Sequence, residues 1–513
     1  MIMTLPRKHF NSTYDLVKKI DKAKIAKWLL EEGYYAEQYV LPPCFHVREY
    51  NLKTDPYYKV ESSKRGWKSF KPDISEFITV SYPKSKLTDR IFGIIEPKIY
   101  HDIVWHIINE WDFVLTHLFC EDIEIFPYSF PIPLTTRSEG ELGTIRAGRL
   151  IYEWVEMAEH DLIAEAHKYK YMLKSDIKNF YPSIYTHSLA WILHGKKEGR
   201  DDKSTFSLLG SKIDKLFQAS NDGCTNGIPI GSALSDLVSE IMLAGIDREC
   251  SKLLKKMKMR FLAVRFKDDY RFLCNSQKDA DCIFKILQHQ MGLYNLSLSD
   301  EKSTVTELPE GLFRPSFSEY QKYSLRRKKR ITYKTFETTL SIVRNIDQNC
   351  PNTGLIDKFL AELISKKDTL KLSLKRKEAL KVFSLLLLLK KRRPKAFPQI
   401  LAIIELIMEK FKTEKELINT IANSLQEFLD SILETIPDHQ YDILWLLYFF
   451  KSNELLDMTL PEGVECPLLQ SIESNKQEYF NSEPDIQLYE DIASVAKSRK
   501  LASYLAMFPL GEK

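Results

Sequence analysis

The sequence lacks the cysteine spacing of disulfide scaffolds and CxxC sites. Its eight cysteines never fall in a CxxC pair, and they are spread through apolar stretches of a chain of 513 residues. Reduced and mostly buried thiols are therefore expected.

Long hydrophobic runs and a strong charge bias are also absent. The longest apolar runs are of the size of LLLLL at 385–389, and the opening MIMTLPRKHF has no signal-peptide core. Lys and Arg number 74 against 70 Asp and Glu, and a net charge of +4 neither requires nor excludes a nucleic-acid partner. We expect a soluble, cytoplasmic protein with no membrane partner.

The apolar pattern divides the chain into segments of different character. At about 150 residues per domain, the length suggests roughly three domains. Residues 1–130 mix short helical signals with aromatic loops, whereas 131–315 alternate strand-like and helical runs, an α+β pattern. A basic junction follows at 316–335. Residues 336–513 hold helix-length apolar stretches without a strict repeat, which predicts an all-α, HEAT-like array of packed helix pairs.

Two adjacent aspartates, Asp268 and Asp269, stand between apolar runs in VRFKDDYRF. The flanking runs predict two short strands joined by a tight turn at both aspartates. Neighbouring carboxylates repel each other, and a purely structural turn would more favourably use Asn-Gly or Asp-Gly. A bound divalent cation removes this conflict, so the pair suggests a phosphate-handling metal site, with a solvated turn as the simpler alternative.

Three further segments of the α+β region carry features of a site. The apolar strand in YMLKSDIKNF leads into Asp176, whose carboxylate would emerge at a strand end. TNGIPIGSALSDL predicts a glycine loop with Ser232 as the N-cap of a helix, where a flat or anionic ligand can approach the backbone. Lys302, in LYNLSLSDEKS, could supply a cation to a phosphate.

In this order, DIKNFYPSI, GIPIGSALS, RFKDDYRF and LSLSDEKS resemble motifs A, B, C and D of the reverse-transcriptase palm. More narrowly, SIYTHSLAWILHGKK and GYYAEQYVLPPCF resemble the bacterial abortive-infection and defence-associated reverse transcriptases, the unknown-group enzymes that include AbiK and AbiA. The resemblance implies the fingers and palm of a right-hand polymerase. The N-terminal region and fingers would occupy 1–130, and the palm with the rest of the fingers 131–315, with no clear thumb before the helical domain.

The resemblance also implies a catalytic metal site. Asp176, Asp268 and Asp269 would be the catalytic carboxylates and the ligands of two Mg²⁺ ions, or of Mn²⁺ in their place. The carbonyl oxygen of Ile177 would complete the set of protein ligands. Paired divalent ions stabilise the attacking oxygen and the leaving pyrophosphate in an in-line displacement.

Nucleotide contacts follow from the same resemblance. Tyr181 falls at the aromatic steric gate that collides with a ribose 2′-hydroxyl, so dNTPs are the implied substrates. The neighbouring Phe180 is equally well explained as a core aromatic. Arg146 lies where the fingers place a triphosphate-binding cation, and Gly231 and Ser232 match the loop that supports the nucleotide.

Some positions depart from the family pattern. Motif B has Ile230 where templated enzymes commonly keep Gln, and Asp236 where many have Pro, which questions ordinary handling of a template strand. Motif C has Phe266 and Lys267 before the aspartates. Lys267 is expected either to hold a nucleic-acid phosphate or to point away from the site.

Relatives that attach their DNA product to a side-chain hydroxyl imply synthesis that starts on the protein itself. The first candidate hydroxyls lie in GYYAEQYV, on Tyr34, Tyr35 and Tyr39, and packing against the palm is the alternative role for each of them. Apolar helices after residue 335 are expected to cover an exposed stripe by self-association into a homo-oligomer, a trimer or hexamer. The basic junction is either a solvated linker or a nucleic-acid contact, and the candidate residues for that contact are Arg326, Arg327, Lys328, Lys329 and Arg330.

These inferences favour a reverse-transcriptase-type DNA polymerase of bacterial antiphage defence, or abortive infection, that adds dNTPs from a protein primer without a template. One alternative is an RNA-templated enzyme with a bound non-coding RNA. Another is a catalytically silent nucleic-acid-binding scaffold, against which the three carboxylates argue. A metal-dependent nuclease would need more ligands and leaves the aromatic gate unexplained.

Overall fold

The structure is a computed structural model that describes residues 3–37, 39–62, 68–85, 88–135, 138–143, 146–351, 353–365, 369–455, 460–461, 464–480 and 486–493. The chain forms two compact units. The first unit comprises Met1–Ala36, Glu49–Thr79 and Gly93–Phe313, and the second comprises Glu37–Arg48, Val80–Phe92 and Arg314–Lys513. The tail of the predicted helical domain beyond residue 493 lies outside the described residues.

The chain up to Phe313 contains a series of helices. They are α1 (Leu5–Lys18), α2 (Lys22–Leu30), α3 (Pro97–Asn109), α4 (Trp111–Leu118), α5 (Arg146–Val155), α6 (Leu162–Ala166), α7 (Phe180–Ser183), α8 (His187–His194), α9 (Lys196–Asp201), α10 (Leu209–Ala219), α11 (Ala233–Lys256) and α12 (Gln277–Gly292). A π-helix, Glu156–Asp161, joins α5 to α6, and 3₁₀ turns lie at Asp202–Ser204 and Asp300–Lys302.

Among the described residues of the same part of the chain, the strands fall into three sheets. They are β1 (Glu61–Ser62), β2 (Lys68–Ser69), β3 (Ile78–Pro83), β4 (Asp89–Ile94), β5 (Ile125–Pro127), β6 (Tyr171–Asp176), β7 (Leu262–Phe266), β8 (Asp269–Cys274) and β9 (Thr304–Glu307). β1 pairs with β2, and β3 pairs with β4. The remaining strands form one five-stranded sheet in the order β5-β7-β8-β6-β9, parallel only between β5 and β7.

The five-stranded sheet places the predicted strands at its centre. YMLKSD forms β6, and the apolar runs around the two aspartates form the antiparallel hairpin of β7 and β8, so these strand predictions are confirmed. The helix predicted after Ser232 forms α11, and a further helical run of the α+β region forms α12. Helix α12 packs on β6 and β8, while the largely buried α11 packs against α4, α8 and α12.

The second unit is mostly helical after residue 314. Its helices there are α13 (Pro315–Gln321), α14 (Tyr333–Asn349), α15 (Leu355–Glu362), α16 (Arg376–Arg392), α17 (Phe397–Lys410), α18 (Lys415–Leu433), α19 (Ile436–Ser452) and α20 (Pro467–Ser474). A 3₁₀ turn at Pro394–Ala396 precedes α17. Neighbouring helices pack in succession, including α14 with α15, α16 with α17 and α18 with α19.

This helical segment is not purely α. Two-residue strands β10 (Ile331–Thr332) and β11 (Leu372–Ser373) pair in parallel, so the expectation of helices alone is wrong at this point. Strands this short carry no apolar alternation that a sequence pattern could reveal. The helix-length runs of 384–451 do form α16 to α19, as predicted, whereas a HEAT-type repeat stays a prediction.

The structure gives the state of the cysteines and the hydropathy of the helices. All eight cysteines are free, and Cys44, Cys250, Cys274 and Cys466 are buried while Cys224 is exposed. In the described part of the chain, every helix is too short or too polar to cross a membrane. The thiol prediction is therefore confirmed as to pairing, and burial holds for half of the cysteines.

Candidate active site

The two adjacent aspartates lie at the tip of the β7–β8 hairpin, but only one of them is in the turn. Phe266 of β7 pairs with Asp269 of β8, which leaves Lys267 and Asp268 as the turn. The prediction that both aspartates form the turn is therefore wrong by one residue. Lys267 has a left-handed φ of 51°, which lysine rarely adopts.

Asp176 meets this hairpin across the β6–β8 ladder. As the last residue of β6, it is the direct partner of Asp269, the first residue of β8. The backbone N–H of Ile177 donates to the carbonyl of Asp268 at 3.2 Å, and the N–H of Ser299 donates to the carbonyl of Asp176 at 2.8 Å. Segments that are about 90 residues apart in sequence therefore converge at one end of the sheet, as the resemblance implies.

Electrostatic strain marks this end of the sheet. Burial raises the pKa of Asp269, and the charge of Asp176 adds to the increase, while Arg271, with its Nη2 3.4 Å from Asp269 Oδ2, opposes it. Lys302 Nζ lies 2.7 Å from Asp176 Oδ1. The two facing carboxylates thus take Lys302 and Arg271 as counter-charges, and Asp268 adds a third carboxylate at this end of the sheet.

A hard divalent cation fits this donor chemistry. Among the residues that the structure describes, no group of three or more His, Cys, Asp or Glu side chains could hold a metal by itself. Magnesium is commonly bound by one or two carboxylates, with substrate phosphates and water as the other ligands. Asp176, Asp269 and the adjoining Asp268 offer such a partial set, at the position where Lys302 supplies a cation.

Tyr181 and Phe180 have different environments on the short helix α7. Phe180 is buried and packs in the core. Tyr181 is half-buried, and its hydroxyl donates to Asp236 Oδ1 at 2.5 Å. Burial, reinforced by the charge of Asp236, raises the pKa of Tyr181 well above its ordinary value. The ring proposed as a gate is thus a neutral phenol tied to α11.

The glycine loop before α11 has the predicted geometry. Ser232 accepts a hydrogen bond from the N–H of Ser235 at 3.1 Å, which confirms it as the N-cap. Gly231 has a φ of 128°, which is unfavourable for residues with a side chain. The guanidinium of Arg146 is buried, with Nη2 donating to the carbonyl of Gly231 at 2.6 Å. In this conformation Arg146 supports the loop, and its predicted contact with triphosphate stays a prediction.

Sequence reasoning missed a buried ion network beneath the hairpin. Arg265 is fully buried, and its Nε lies 2.7 Å from Asp247 Oδ2. Its Nη2 lies 2.9 Å from Glu240 Oε2, and its Nη1 donates to the carbonyl of Lys267 at 3.0 Å. Tyr270 donates to the other oxygen of Asp247 at 2.8 Å. The network fixes the turn that carries Asp268, and the signal for it was an arginine within an otherwise apolar strand.

Lys267 contacts another residue that departs from the family pattern, and its contact with a nucleic-acid phosphate stays a prediction. Its Nζ lies 3.0 Å from Asp236 Oδ2, so two residues that depart from the family pattern bind each other. Contacts between residues that lie on different motifs cannot be seen from either motif alone.

The remaining candidate residues lie elsewhere in the two units. Tyr34 and Tyr35 are buried in the first unit, where the hydroxyl of Tyr34 donates to the carbonyl of Ile95 at 2.5 Å. Tyr39 is half-buried in the second unit, with its ring centroid 5.7 Å from that of Tyr82. In the second unit, the basic junction is half-buried at Arg326 and exposed at 327–330.

Comparison with protein-family models matches residues 134–337 to reverse transcriptase (RNA-dependent DNA polymerase). This range contains the aspartates, Tyr181, the glycine loop and Lys302. A search of curated proteins found no match.

Solved structures with similarity to the chain include telomerases. Telomerase from Candida albicans in complex with a telomeric RNA fragment has a TM-score of 0.29 and 12% identity, over 68% of this chain and 64% of that one. Apo telomerase from Candida tropicalis has a TM-score of 0.33 and 13% identity, over 76% of this chain and 70% of that one. A C-terminally truncated form of the latter has a TM-score of 0.30 and 13% identity, over 50% and 52%. Similarity at this level supports no conclusion about ligands.

Proposed function

We propose that this chain, a nucleotidyltransferase of the RNA-directed DNA polymerase type by its reverse transcriptase domain, adds deoxynucleotides at the end of the β6–β8 ladder. The observation that supports this site is the direct pairing of Asp176 with Asp269, next to Asp268 in the turn. The rigid sheet therefore holds carboxylates from two adjacent strands close together.

The three aspartates and the carbonyl of Ile177 would hold the divalent cations, Mg²⁺ or Mn²⁺. Bound there, two such ions supply charge that stabilises the attacking oxygen and the leaving pyrophosphate. Lys302 now neutralises Asp176 and would exchange that carboxylate for a substrate phosphate. The backbone at Gly231 and Ser232 would support the nucleotide, and Arg146 keeps that loop in place.

Tyr181 would select the sugar by steric exclusion. Tyr181→Ala is expected to lower the preference for dNTPs over rNTPs by about 10- to 100-fold, because removing the ring opens space for the 2′-hydroxyl. The measurement is the ratio of kcat/KM for matched dNTP and rNTP. Ser183→Ala, on the same short helix, serves as the control. An unchanged ratio in a folded Tyr181→Ala protein would return the ring to a packing role.

Protein priming is the finer part of the proposal. Phosphoester formation would join the phenol oxygen to the α-phosphorus, release pyrophosphate and transfer the phenol proton to solvent. Tyr39 is the best supported of the three candidates, since Tyr34 and Tyr35 are buried. Mass spectrometry after incubation with dNTPs and nuclease digestion is expected to find a nucleotide on Tyr39 and none in Tyr39→Phe. Tyr35→Phe should keep the adduct, and a wild-type protein with no adduct on any residue would contradict priming.

Self-association and template use are tested with the same preparation. The helices α14 and α16 line an open groove with apolar residues, and Leu388 there is 54% exposed, which supports an oligomer. Light scattering is expected to give the mass of a trimer or hexamer.

Incorporation that requires added or bound RNA would favour the RNA-templated alternative, which the family description supports.

Antiphage defence is proposed from the motif resemblance to abortive-infection reverse transcriptases. Expression of the wild-type chain in a bacterial host is expected to reduce phage plating, and expression of Asp268→Asn is not. Equal phage plating with both proteins across a panel of phages would contradict a role in defence and leave the polymerase proposal standing.

A further inference from the structure

Asp236 is the centre of a buried polar cluster beside the proposed active site. The residue lies in the first turn of α11 and is 5% exposed. Its Oδ1 accepts from the hydroxyl of Tyr181 at 2.5 Å, and its Oδ2 lies 3.0 Å from Lys267 Nζ. Arg146 Nη1 lies 3.7 Å from the same Oδ2. One carboxylate thus joins the proposed sugar gate to the turn that carries Asp268.

Charge explains why Asp236 can be buried. Burial opposes its ionisation, but Lys267 and then Arg146 outweigh this effect and hold the pKa of Asp236 below its ordinary value. The carboxylate is therefore ionised at neutral pH and makes a charge-assisted hydrogen bond to the phenol, which is stronger than a neutral one.

The backbone of Lys267, whose ammonium group faces Asp236, is held in place by hydrogen bonds. The N–H of Lys267 donates to Ser129 Oγ at 2.7 Å, and its carbonyl accepts from Arg265 Nη1 at 3.0 Å. These contacts stabilise the left-handed backbone of Lys267, and the position of its ammonium group follows from them. A hydrogen-bond partner that is itself held by fixed contacts restricts the motion of the Tyr181 ring more than packing alone does.

We propose that Asp236 and Lys267 form a positioning pair that fixes the Tyr181 ring relative to the Asp268 turn and thereby sets the selectivity for the nucleotide sugar. The inference rests on the proposed polymerase function. Neither residue needs to touch the substrate. Their occurrence together has a physical reason, since the Lys267 ammonium is the nearest cation to the buried carboxylate of Asp236, closer than Arg146.

A double-mutant cycle on the full chain separates this role from a merely structural one. Asp236→Asn and Lys267→Met are each expected to lower the dNTP-over-rNTP ratio of kcat/KM about tenfold, the size of one hydrogen bond to a charged group. The two changes together should lower it no further than either alone, because both act through one contact. In a Tyr181→Ala background, Asp236→Asn should leave the ratio unchanged.

The control removes a charge from the same helix at an exposed ion pair. Glu249 Oε1 lies 2.8 Å from Lys252 Nζ near the far end of α11, and Glu249→Gln should leave the ratio at the wild-type value. A structural role for the pair would reduce incorporation of both sugars equally and lower the melting temperature. If Asp236→Asn and Lys267→Met both lower activity with an unchanged ratio, the positioning role is overturned.

A spectroscopic readout tests the position of the ring without catalysis. Fluorotyrosine encoded at position 181 is expected to give one ¹⁹F resonance in the wild-type background, which shifts and narrows in Asp236→Asn as the ring gains motion. It should not respond to Glu249→Gln. If the wild-type protein is inactive but its resonance responds to Asp236→Asn, the proposed function is overturned and the contact between Asp236 and Tyr181 stands. An active protein whose resonance and sugar ratio both ignore Asp236→Asn would overturn the positioning pair alone.

Discussion

Replacing Asp176 or Asp268 with Asn is expected to lower nucleotide incorporation by at least about 10³-fold. An amide is a poor ligand for a hard cation and carries no charge, so the ions on which the proposed chemistry depends would bind weakly. The measurement is incorporation of labelled dNTP by each purified variant in the presence of Mg²⁺. Activity at the wild-type rate in either variant would contradict the assigned site.

Stability separates this loss from unfolding. Asp176 and Asp269 face each other on adjacent strands, and removing one negative charge relieves their repulsion. Asp176→Asn should therefore not melt below the wild-type protein. Asp281→Asn, on the exposed face of α12 at 3.0 Å from Gln277, is the matched control and should retain full activity.

The second large effect concerns folding. Arg265→Met is expected to lower the free energy of unfolding by about 3–5 kcal/mol, because it leaves Glu240 and Asp247 buried without their cation. Urea unfolding followed by circular dichroism measures the change. Lys252→Met removes only an exposed partner of Glu249 and should cost less than about 1 kcal/mol.

Neutralising the acids tests the cause of that loss. Adding Glu240→Gln and Asp247→Asn to Arg265→Met should recover part of the stability, since the uncompensated charges are then gone. If Arg265→Met unfolds within about 1 kcal/mol of the wild-type protein, the network is not what stabilises the hairpin.

The central strands and helices of the first unit could be predicted because their apolar patterns are strong. The runs around Asp268, the strand that ends at Asp176 and the long helix after Ser232 all form as expected. Where the hairpin turns depends on cross-strand pairing with Phe266, which the run of residues alone does not specify. The position of Asp269 in β8 was therefore missed.

Contacts between residues that are far apart in the sequence could not be predicted from it. Asp236 and Lys267 are 31 residues apart, and each departs from the family pattern in a different motif. The sequence does not indicate that the two residues contact each other. The aromatic segment around Tyr34 makes its hydroxyl a priming candidate, but the ring is buried and the hydroxyl donates to the carbonyl of Ile95, 61 residues away. Aromatic residues with a polar tip fit either setting, so only tertiary contacts decide between them.

The most direct test is incubation of the purified full chain with Mg²⁺ and each labelled dNTP, with and without added RNA template and primer, beside Asp268→Asn. We predict that the wild-type chain incorporates label under at least one of these conditions and that Asp268→Asn does not. Equal incorporation by the two proteins, or none by the wild-type chain under any of them, would contradict a deoxynucleotide polymerase centred on Asp176, Asp268 and Asp269.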